Sequence, residues 1–258
     1  MVNKRADGFH DIETIFYPVN LKDAVEIVED KGKSKTVTYT QTGLSISGTA
    51  DDNLCLKAYH LLKKDFPQLS NIKMHLHKTI PMGAGLGGGS ADAAFTLKAL
   101  NNRFDLQLST EQLIDYALQL GSDCPFFILN KPCYATGRGE ILEEFALDLS
   151  AYQILLVNPR IHINTGAAFS NIKTERKKHN LKDQVTMPIK EWQQNIYNDF
   201  EKSVFEVEPE IAEIKTELIS NGALYSAMSG SGSTVFGIFD PKTAPVLKFP
   251  AHYFYKWV

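Results

Sequence analysis

The chain has 258 residues, 43% of them hydrophobic, and its 27 basic and 30 acidic residues give a formal net charge of −3. Such a chain buries a substantial core, as one large domain or two smaller ones. Because the charge is small and negative, the sequence offers no broad positive surface for nucleic acid or anionic lipid, and a small-molecule partner is expected instead.

The cysteines and the apolar runs indicate the compartment. Cys55, Cys124 and Cys133 have neither the spacing of a zinc knuckle nor the even number of a disulfide framework. No run approaches the roughly 18 apolar residues of a membrane span, and the first residues lack the apolar core of a secretion signal. We therefore expect a cytoplasmic protein, without membrane contact, that is a monomer or a weak homodimer.

The first eighty residues are predicted to be mostly strands, at 12–19, 24–29, 36–41 and 72–77. In the last of these, apolar and polar residues alternate, as Ile72, Lys73, Met74, His75, Leu76 and His77. Alternation is typical of a strand with one face in solvent. The two histidines are therefore assigned to the wet face and not to a metal site.

Helices are predicted inside this β region and after it. The segment 51–67 has apolar residues at helical spacing and stops at Pro67. A second helix carries on one face Ala93, Ala94, Leu97 and Leu100. A third, at 109–121, opens with a capping box of Ser109 and Gln112 and ends at Gly121.

The second half mixes strands and helices. A strand is predicted within 152–163, an exposed polar loop at 173–184, helices around 192–200 and 211–218, and a second β portion at 223–239. This order predicts an α+β fold with a boundary near residue 150, and hence two domains, at 1–150 and 151–258.

Residues 81–94 read PMGAGLGGGSADAA and hold five glycines within seven positions. Gly83, Gly85 and Gly88 satisfy a dinucleotide-binding pattern, with Asp105 near the distance of a ribose-binding acid. The context argues against that reading, because Pro81 interrupts the approaching strand and a second helix, not a second strand, follows the first. A Walker A loop is excluded because no lysine follows the glycines.

Two interpretations of these glycines remain. A tight turn with no ligand is one, because glycine clusters often serve turns alone. The other is anion binding, in which successive backbone N–H groups converge and a helix predicted to start at Ser90 adds its unpaired amides and positive dipole end. Polyphosphate is the expected ligand. Ser90 itself is interpreted either as a phosphate or metal contact or as a helix N-cap.

Two of these stretches resemble a known superfamily. The run 81–94 resembles the central phosphate-binding motif of the galactokinase, homoserine kinase, mevalonate kinase and phosphomevalonate kinase superfamily, and MSGSGSTVFGIF at 228–239 resembles its third motif. The stretches at 4–23, 121–127 and 135–142 are similar to segments of the 4-diphosphocytidyl-2-C-methyl-D-erythritol kinase family. The resemblance extends from Lys4 to about Phe239.

This resemblance implies a fold and an activity. The fold is a two-domain α+β kinase, with an N-terminal domain like domain 2 of ribosomal protein S5, a C-terminal ferredoxin-like α/β sandwich, and the active site in the cleft between them. The activity is ATP-dependent and Mg²⁺-dependent phosphorylation of the 2-hydroxyl of a cytidine diphosphate methylerythritol, in the methylerythritol phosphate route to isoprenoid precursors. The alternatives are another kinase of the superfamily, of homoserine or mevalonate type, and a non-catalytic ligand-binding homologue.

One segment of the family pattern has no match in this chain. Members of the family begin with a strand carrying Asn-Ala-Lys-Ile-Asn, whose lysine supports the catalytic aspartate and the substrate hydroxyl. The chain begins downstream of where that strand is expected. The expectation is therefore a sequence truncated at its N-terminus, with impaired turnover in the chain as given.

The resemblance also implies site residues. Asp123 is the expected catalytic base, although an aspartate after a helix end is by itself most often a solvated turn residue. The expected ATP contacts are Pro81, Met82, Gly83, Ala84, Gly85, Leu86, Gly87, Gly88, Gly89 and Ser90, with Asn53 near adenine and Ser90 within reach of Mg²⁺.

On the substrate side, the expected residues are Phe9 and His10 at cytosine, Phe16 and Tyr17 along the substrate, Arg138 at the diphosphate, Thr165 and Phe169 at the far wall, and Gly230 and Ser231 from the third motif. An isolated phenylalanine is more often a core residue than a ligand shelf, and an isolated arginine is more often a solvated surface charge. These assignments rest on the resemblance.

Overall fold

The computed structural model describes residues 3–6, 8–32, 36–46, 48–49, 52–170, 180–243 and 245–258. The strands in these ranges are β1 (Asn3–Lys4), β2 (His10–Asp11), β3 (Thr14–Phe16), β4 (Ala24–Glu29), β5 (Val37–Gly43), β6 (Ile72–Lys78), β7 (Cys133–Thr136), β8 (Ile141–Glu144), β9 (Gln153–Asn158), β10 (Tyr225–Met228), β11 (Val235–Phe239) and β12 (Phe254–Trp257).

The helices in the same ranges are α1 (Leu54–Asp65), α2 (Gly88–Arg103), α3 (Thr110–Leu120), α4 (Cys124–Leu129), α5 (Thr165–Ser170), α6 (Leu181–Val185), α7 (Ile189–Asn195), α8 (Phe200–Val207) and α9 (Pro209–Ser220).

The N-terminal half is built on a three-stranded sheet with β6 in the centre. β6 pairs antiparallel with β4 and parallel with β5. Its residues 72, 74 and 76 are buried under α1 and α2, whereas Lys73 and His77 are exposed, as the alternation predicts. Lys78 continues the buried alternation and is also buried.

Local capping accounts for two helix starts in this half, those of α1 and α3. The Asn53 side chain accepts a hydrogen bond from Cys55 N at 2.8 Å and begins α1. Ser109 and Gln112 form the predicted capping box of α3, which ends before Gly121. Both helices bury one apolar face in a common core with α2.

A second sheet consists of β3, β7 and β8, and it joins the chain after β2 to the middle of the sequence. Phe16 pairs with Cys133, and Ile12 N donates to Gly137 O at 2.7 Å. The turn that joins β7 to β8, residues 137–140, therefore lies beside the chain that follows β2. This contact places the early residues next to the middle of the chain.

The C-terminal half holds an antiparallel sheet in the order β10-β11-β9-β12. Helices α8 and α9 bury apolar side chains against one face of it. The other face joins a core that takes Leu21, Ile80 and Leu149 from the first 150 residues and Ile154, Trp192 and Tyr225 from the rest. The division into 1–150 and 151–258 remains a prediction, and this core spans it.

Several elements differ from the prediction. The strand predicted at 12–19 is limited to β3. The stretch around 192–200 is two helices, because α7 ends at Asn195 and α8 begins at Phe200. An exposed loop was predicted at 173–184. Residues 173–179 lie outside the described part, and the loop prediction is wrong for 181–184 because these residues belong to α6. A polar composition marks solvent exposure, and exposure alone does not exclude a helix.

Candidate active site at two glycine-rich loops

The first glycine loop, residues 81–89, turns through left-handed backbone into α2. Gly83, Gly85 and Gly87 have φ of +61°, +72° and +64°, a region that side chains with a Cβ disfavour. α2 begins at Gly88 and its N-cap is Gly87, so the helix start predicted at Ser90 is two residues late and Ser90 is not the N-cap. No side chain caps this N-terminus, and the first amides of a helix lack intrahelical acceptors.

Each later glycine in the loop has a different reason to lack a side chain. A Cβ on Gly88 would lie 2.9 Å from Ile80 Cγ2 and 3.0 Å from Lys78 Nζ, so packing excludes it. A Cβ on Gly89 would meet nothing closer than Leu54 Cδ1, at 3.9 Å, and its backbone is helical. Glycine inside a helix costs about 0.5–1 kcal/mol relative to alanine. Nothing in the described structure requires glycine at 89, which fits a ligand that approaches this backbone closely.

The second glycine loop, residues 229–234, connects β10 to β11 and packs directly on the first. Ser229 Oγ donates to Gly85 O at 2.7 Å, and Thr234 N donates to Ala84 O at 3.1 Å. A Cβ on Gly85 would lie 2.1 Å from Ser229 O, so only glycine fits there. Gly230 and Ser231 belong to this loop, and the structure therefore brings the two predicted motifs together.

Asp123 lies just before α4, beside the turn that follows β7. Although it is open to solvent on one side, the surrounding protein desolvates its carboxyl, and this desolvation raises the pKa of Asp123. Ser122 Oγ donates to Asp123 Oδ1 at 3.4 Å and opposes the rise. A Cβ on Gly139 would lie 3.7 Å from Asp123 Oδ1 and 3.7 Å from Phe16 Cζ, which places the predicted residues Asp123 and Phe16 around one point.

Contacts between α4 and α2 join Asp123 to the first glycine loop. The Ser90 hydroxyl contacts the thiol of Cys124, the residue next to Asp123, and lowers the pKa of that thiol. A Cβ on Gly87 would lie 2.8 Å from Phe127 Cζ, so the α4 side chain covers the start of α2. Burial raises the pKa of Cys124 to about 11, which keeps this thiol neutral.

The aromatic residues expected at the substrate come together from distant parts of the chain. The His10 and Phe169 rings are 5.3 Å apart, and the Arg138 guanidinium lies 5.0 Å over the Phe9 ring. Arg138 also pairs with Glu140, with 3.4 Å from Arg138 Nε to Glu140 Oε1. Glu140 was not predicted, and it orients the arginine side chain.

Two predicted residues have structural partners instead. Tyr17 packs in the core that spans residue 150, and its hydroxyl accepts a hydrogen bond from Leu149 N at 3.2 Å. Besides capping α1, Asn53 donates to Tyr39 Oη at 2.9 Å. The side chain of Thr165 lies outside the described part. The roles expected of these three residues remain predictions.

A buried charge cluster behind the first glycine loop was missed by sequence reasoning. The Lys78 ammonium donates to Asp23 and, at 2.8 Å, to Asp92 Oδ2 on α2. Asp23 Oδ1 accepts from Thr79 N and Ile80 N, which fixes the approach to the loop. The sequence did contain a signal for this cluster, because the alternation of β6 places Lys78 on the buried face of the strand.

Comparison with known proteins identifies the family. The GHMP kinases N terminal domain matches residues 53–131, and the GHMP kinases C terminal domain matches residues 185–249. A 4-diphosphocytidyl-2-C-methyl-D-erythritol kinase of Bacteroides fragilis is 52% identical over 94% of this chain and 88% of its own length. This chain belongs to the 4-diphosphocytidyl-2-C-methyl-D-erythritol kinase family of GHMP kinases. The corresponding kinase of Bacteroides thetaiotaomicron is 49% identical over the same shares of the two chains.

Solved structures of GHMP kinases confirm the predicted fold. A crystal structure of 4-(cytidine 5'-diphospho)-2C-methyl-D-erythritol kinase superposes with a TM-score of 0.79 at 28% identity, over 92% of this chain and 84% of that one. A mevalonate kinase superposes with a TM-score of 0.72 at 12% identity, over 90% and 86% of the two chains. The second match shows a shared fold alone.

Proposed function

We propose that this GHMP kinase transfers the γ-phosphoryl group of ATP to the 2-hydroxyl of 4-diphosphocytidyl-2-C-methyl-D-erythritol, in the methylerythritol phosphate route to isoprenoid precursors. The observation that carries the proposal is the identity of about half to relatives that bear this name, over nearly the whole chain. Two contacts support it, because phosphoryl transfer needs a phosphate cradle and a carboxylate near one point. The two glycine loops pack on each other through Ser229 and Gly85, and Cys124, the residue next to Asp123, contacts Ser90 in the first turn of α2.

The first glycine loop binds the ATP phosphates. The uncapped amides at the start of α2 and the positive end of its dipole face an anion favourably. The open space over Gly89 lets phosphate oxygens reach the backbone without meeting a side chain. Ser90, in the first turn, adds a hydroxyl.

The described residues contain no group of three or more His, Cys, Asp or Glu side chains placed to bind a metal. A site with few protein ligands fits Mg²⁺ that arrives with ATP, since Mg²⁺ keeps several waters and takes phosphate oxygens as ligands. Ser90 is the residue that would hold it from the protein side. When bound, Mg²⁺ neutralises negative charge on the phosphates.

Asp123 receives the proton of the attacking hydroxyl. The 2-hydroxyl oxygen forms a bond to the γ-phosphorus while the bond from that phosphorus to the β–γ bridging oxygen breaks, and ADP leaves with the bonding pair. The raised pKa of Asp123 suits this transfer, because a carboxylate that binds a proton more strongly is a better base at neutral pH.

The aromatic group of Phe9, His10 and Phe169 binds the cytosine, and Arg138 faces the diphosphate. The His10 and Phe169 rings, 5.3 Å apart, offer aromatic faces on which a base can stack. The guanidinium, held over Phe9 and by Glu140, offers a fixed positive fork for phosphate oxygens.

The test is an ADP-release assay on the full reading frame that encodes this chain, with a substrate panel. ADP release is expected with 4-diphosphocytidyl-2-C-methyl-D-erythritol and not with homoserine or mevalonate. Asp123→Asn is expected to lower kcat by at least a hundredfold with little change in substrate KM, whereas Asp105→Asn, on an exposed turn at the far end of α2, leaves both unchanged. Turnover of homoserine or mevalonate would assign another kinase, and nucleotide binding without turnover would indicate a non-catalytic homologue.

A second variant tests the phosphate cradle separately. Gly89→Ala fits the protein, so its melting temperature is expected to stay equal or rise slightly. Its KM for ATP is expected to rise several-fold because the new methyl group occupies the approach to the backbone. An unchanged KM for ATP would place the phosphates elsewhere.

A further inference from the structure

The second glycine loop is held from behind by the turn that begins α8. Asn198 Nδ2 donates to Met228 O at 2.7 Å and to Gly230 O at 2.7 Å. Glu201 Oε1 accepts from Met228 N at 2.8 Å. Side chains from one turn therefore bind both polar backbone atoms of Met228 and one further carbonyl inside the loop.

The two side chains that hold the loop are themselves fixed. Asn198 Oδ1 accepts a hydrogen bond from Phe200 N at 3.0 Å, so the amide is engaged through both its oxygen and its nitrogen. The buried Glu201 pairs with Lys215 of α9 at 2.5 Å. These contacts determine the orientation of the Asn198 amide, because only its NH₂ group can donate to two carbonyls.

The opposite side of the same loop touches the first glycine loop. Ser229 Oγ donates to Gly85 O, and the Ser229 carbonyl lies so close to Gly85 that no side chain fits between them. The second loop is thus a layer between α8 and the backbone proposed to bind ATP. A shift of the layer toward α8 would open the contact with Gly85.

Peptide geometry adds a directional effect. The carbonyl and the N–H group of one trans peptide unit point in opposite directions. Since Asn198 fixes the Gly230 carbonyl toward α8, the N–H group of Ser231 in the same unit points away from α8. Asn198 therefore selects one of the two orientations of this peptide in a flexible glycine segment, where Gly230 has φ of +56°.

We propose that Asn198 is a positioning residue for ATP, which acts by holding the second glycine loop against the first in the phosphate-binding arrangement. The inference rests on the proposed function, since it takes the first glycine loop as the phosphate site. Asn198 contacts neither substrate, and its effect passes through the Met228 and Gly230 carbonyls. Glu201 supports the same arrangement from the same turn.

The test compares Asn198→Ser and Asn198→Asp with the unaltered chain. Both replacements keep an oxygen that can accept from Phe200 N, so the turn that leads into α8 is retained. Both lose the NH₂ group that donates to the loop carbonyls. Asn195→Ser and Asn195→Asp are the matched controls, because Asn195 lies three residues earlier and donates only to Glu191 O of its own helix.

The readouts are kcat, the KM values for ATP and for the alcohol substrate, and the calorimetric Kd of Mg·ADP. We expect both Asn198 variants to raise the KM for ATP and the Kd of Mg·ADP roughly tenfold, in line with two lost hydrogen bonds. The KM for the alcohol substrate is expected to change less than twofold. The Asn195 variants are expected to match the unaltered chain in every readout.

The outcomes separate the two proposals. A merely structural role would lower the active fraction, and so reduce kcat with an unchanged KM for ATP and an unchanged Kd of Mg·ADP; that result would overturn the role of Asn198. An equal effect on both KM values would also overturn it. Failure of the unaltered protein to bind Mg·ADP would overturn the proposed function instead.

Discussion

Three glycines of the first loop differ in what occupies the space where a side chain would stand. At Gly85 the second loop occupies the space where a Cβ would stand, at Gly88 a core isoleucine and Lys78 occupy it, and at Gly89 the space is open. The first two glycines are required by the protein itself. The protein does not require glycine at 89, and we attribute that glycine to the close approach of the proposed phosphate ligand.

Gly85→Ala tests the contact between the loops. Its Cβ would lie 2.1 Å from Ser229 O, and its φ of +72° is unfavourable for alanine. Gly222→Ala is the matched control, because φ there is +94° and nothing lies within 4 Å. Both substitutions incur the left-handed backbone penalty of about 1–2 kcal/mol, and only Gly85→Ala also separates the loops. We expect Gly85→Ala to lose ATP binding and to unfold at lower urea than Gly222→Ala. Equal behaviour would show that the loop contact is dispensable.

The pKa of Asp123 predicts the acid limb of the pH profile. The carboxylate must be ionised to take a proton, and desolvation raises its pKa above 3.8. Activity is therefore present above the raised pKa and is lost as the pH falls through it, so the acid limb of kcat/KM for the alcohol substrate is expected above pH 3.8. Ser122→Ala removes a hydrogen bond that lowers this pKa, and its acid limb is expected at higher pH than that of the unaltered chain. A limb that does not move would remove Asp123 from the proton transfer.

Sequence reasoning found the two loops of the candidate site more readily than the side chains that surround them. The loops and Asp123 were predicted because their glycine and turn signatures are local, and the resemblance supplied their roles. Glu140 was overlooked although its partner Arg138 lies only two residues away. Asn198 was missed because its partners, two carbonyls of a remote loop, become neighbours only on folding. No local pattern in the sequence marks such contacts.

At the scale of single elements, β6 and α2 are joined by the buried Lys78, Asp23 and Asp92 cluster. The three charges come from the segment before β4, the end of β6 and the second turn of α2. Each needs the others, because an unpaired charge in the interior loses its hydration without compensation. The cluster fixes the distance between the central strand and α2, the helix whose start is the proposed phosphate cradle.

Lys78→Met is therefore expected to destabilise the protein by about 3–5 kcal/mol, since it leaves two buried carboxylates without their cation. Lys73→Met, on the exposed face of the same strand, is the control. Its free energy of unfolding is expected within about 0.5 kcal/mol of that of the unaltered chain, because Lys73 is exposed and the ion pair from its Nζ to Asp30 is long, at 3.9 Å. Urea unfolding followed by circular dichroism measures both. Equal losses for the two variants would show that the cluster does not stabilise the fold.

Periodicity predicted the longer elements and failed on the short ones. The strands at 24–29 and 72–77 and the capping box of α3 were found because their patterns are long and regular. The six-residue helix α4 was not, because CPFFIL is too short to show a helical period. The position of α4 depends on its packing against α2, and that packing cannot be read from the sequence.

At the scale of the whole molecule, the core around Trp192 makes the two halves interdependent. It contains Leu21 and Ile80 from the first half and Tyr225 from the second, so each half buries part of its apolar surface against the other. No helix in the described ranges is long and apolar enough to cross a bilayer. Oligomeric state remains a prediction.

We expect one unfolding transition for the whole chain. Because the core is shared, far-UV circular dichroism, which reports all the helices, and tryptophan fluorescence should give the same urea midpoint. Trp192→Phe leaves Trp257, in the C-terminal core, as the fluorescence reporter and provides the control. Two separate midpoints in the unaltered chain would mean that the halves fold independently.

The burial of the cysteines determines how this kinase withstands oxidants. Cys124 stands next to Asp123, the proposed catalytic base, yet burial raises the pKa of Cys124 to about 11, and the pKa of Cys55 is raised to about 12. Cys133 is buried too, with a raised pKa. Since peroxides and alkylating reagents attack the thiolate, the thiol one residue from the proposed base stays unreactive toward them near neutral pH.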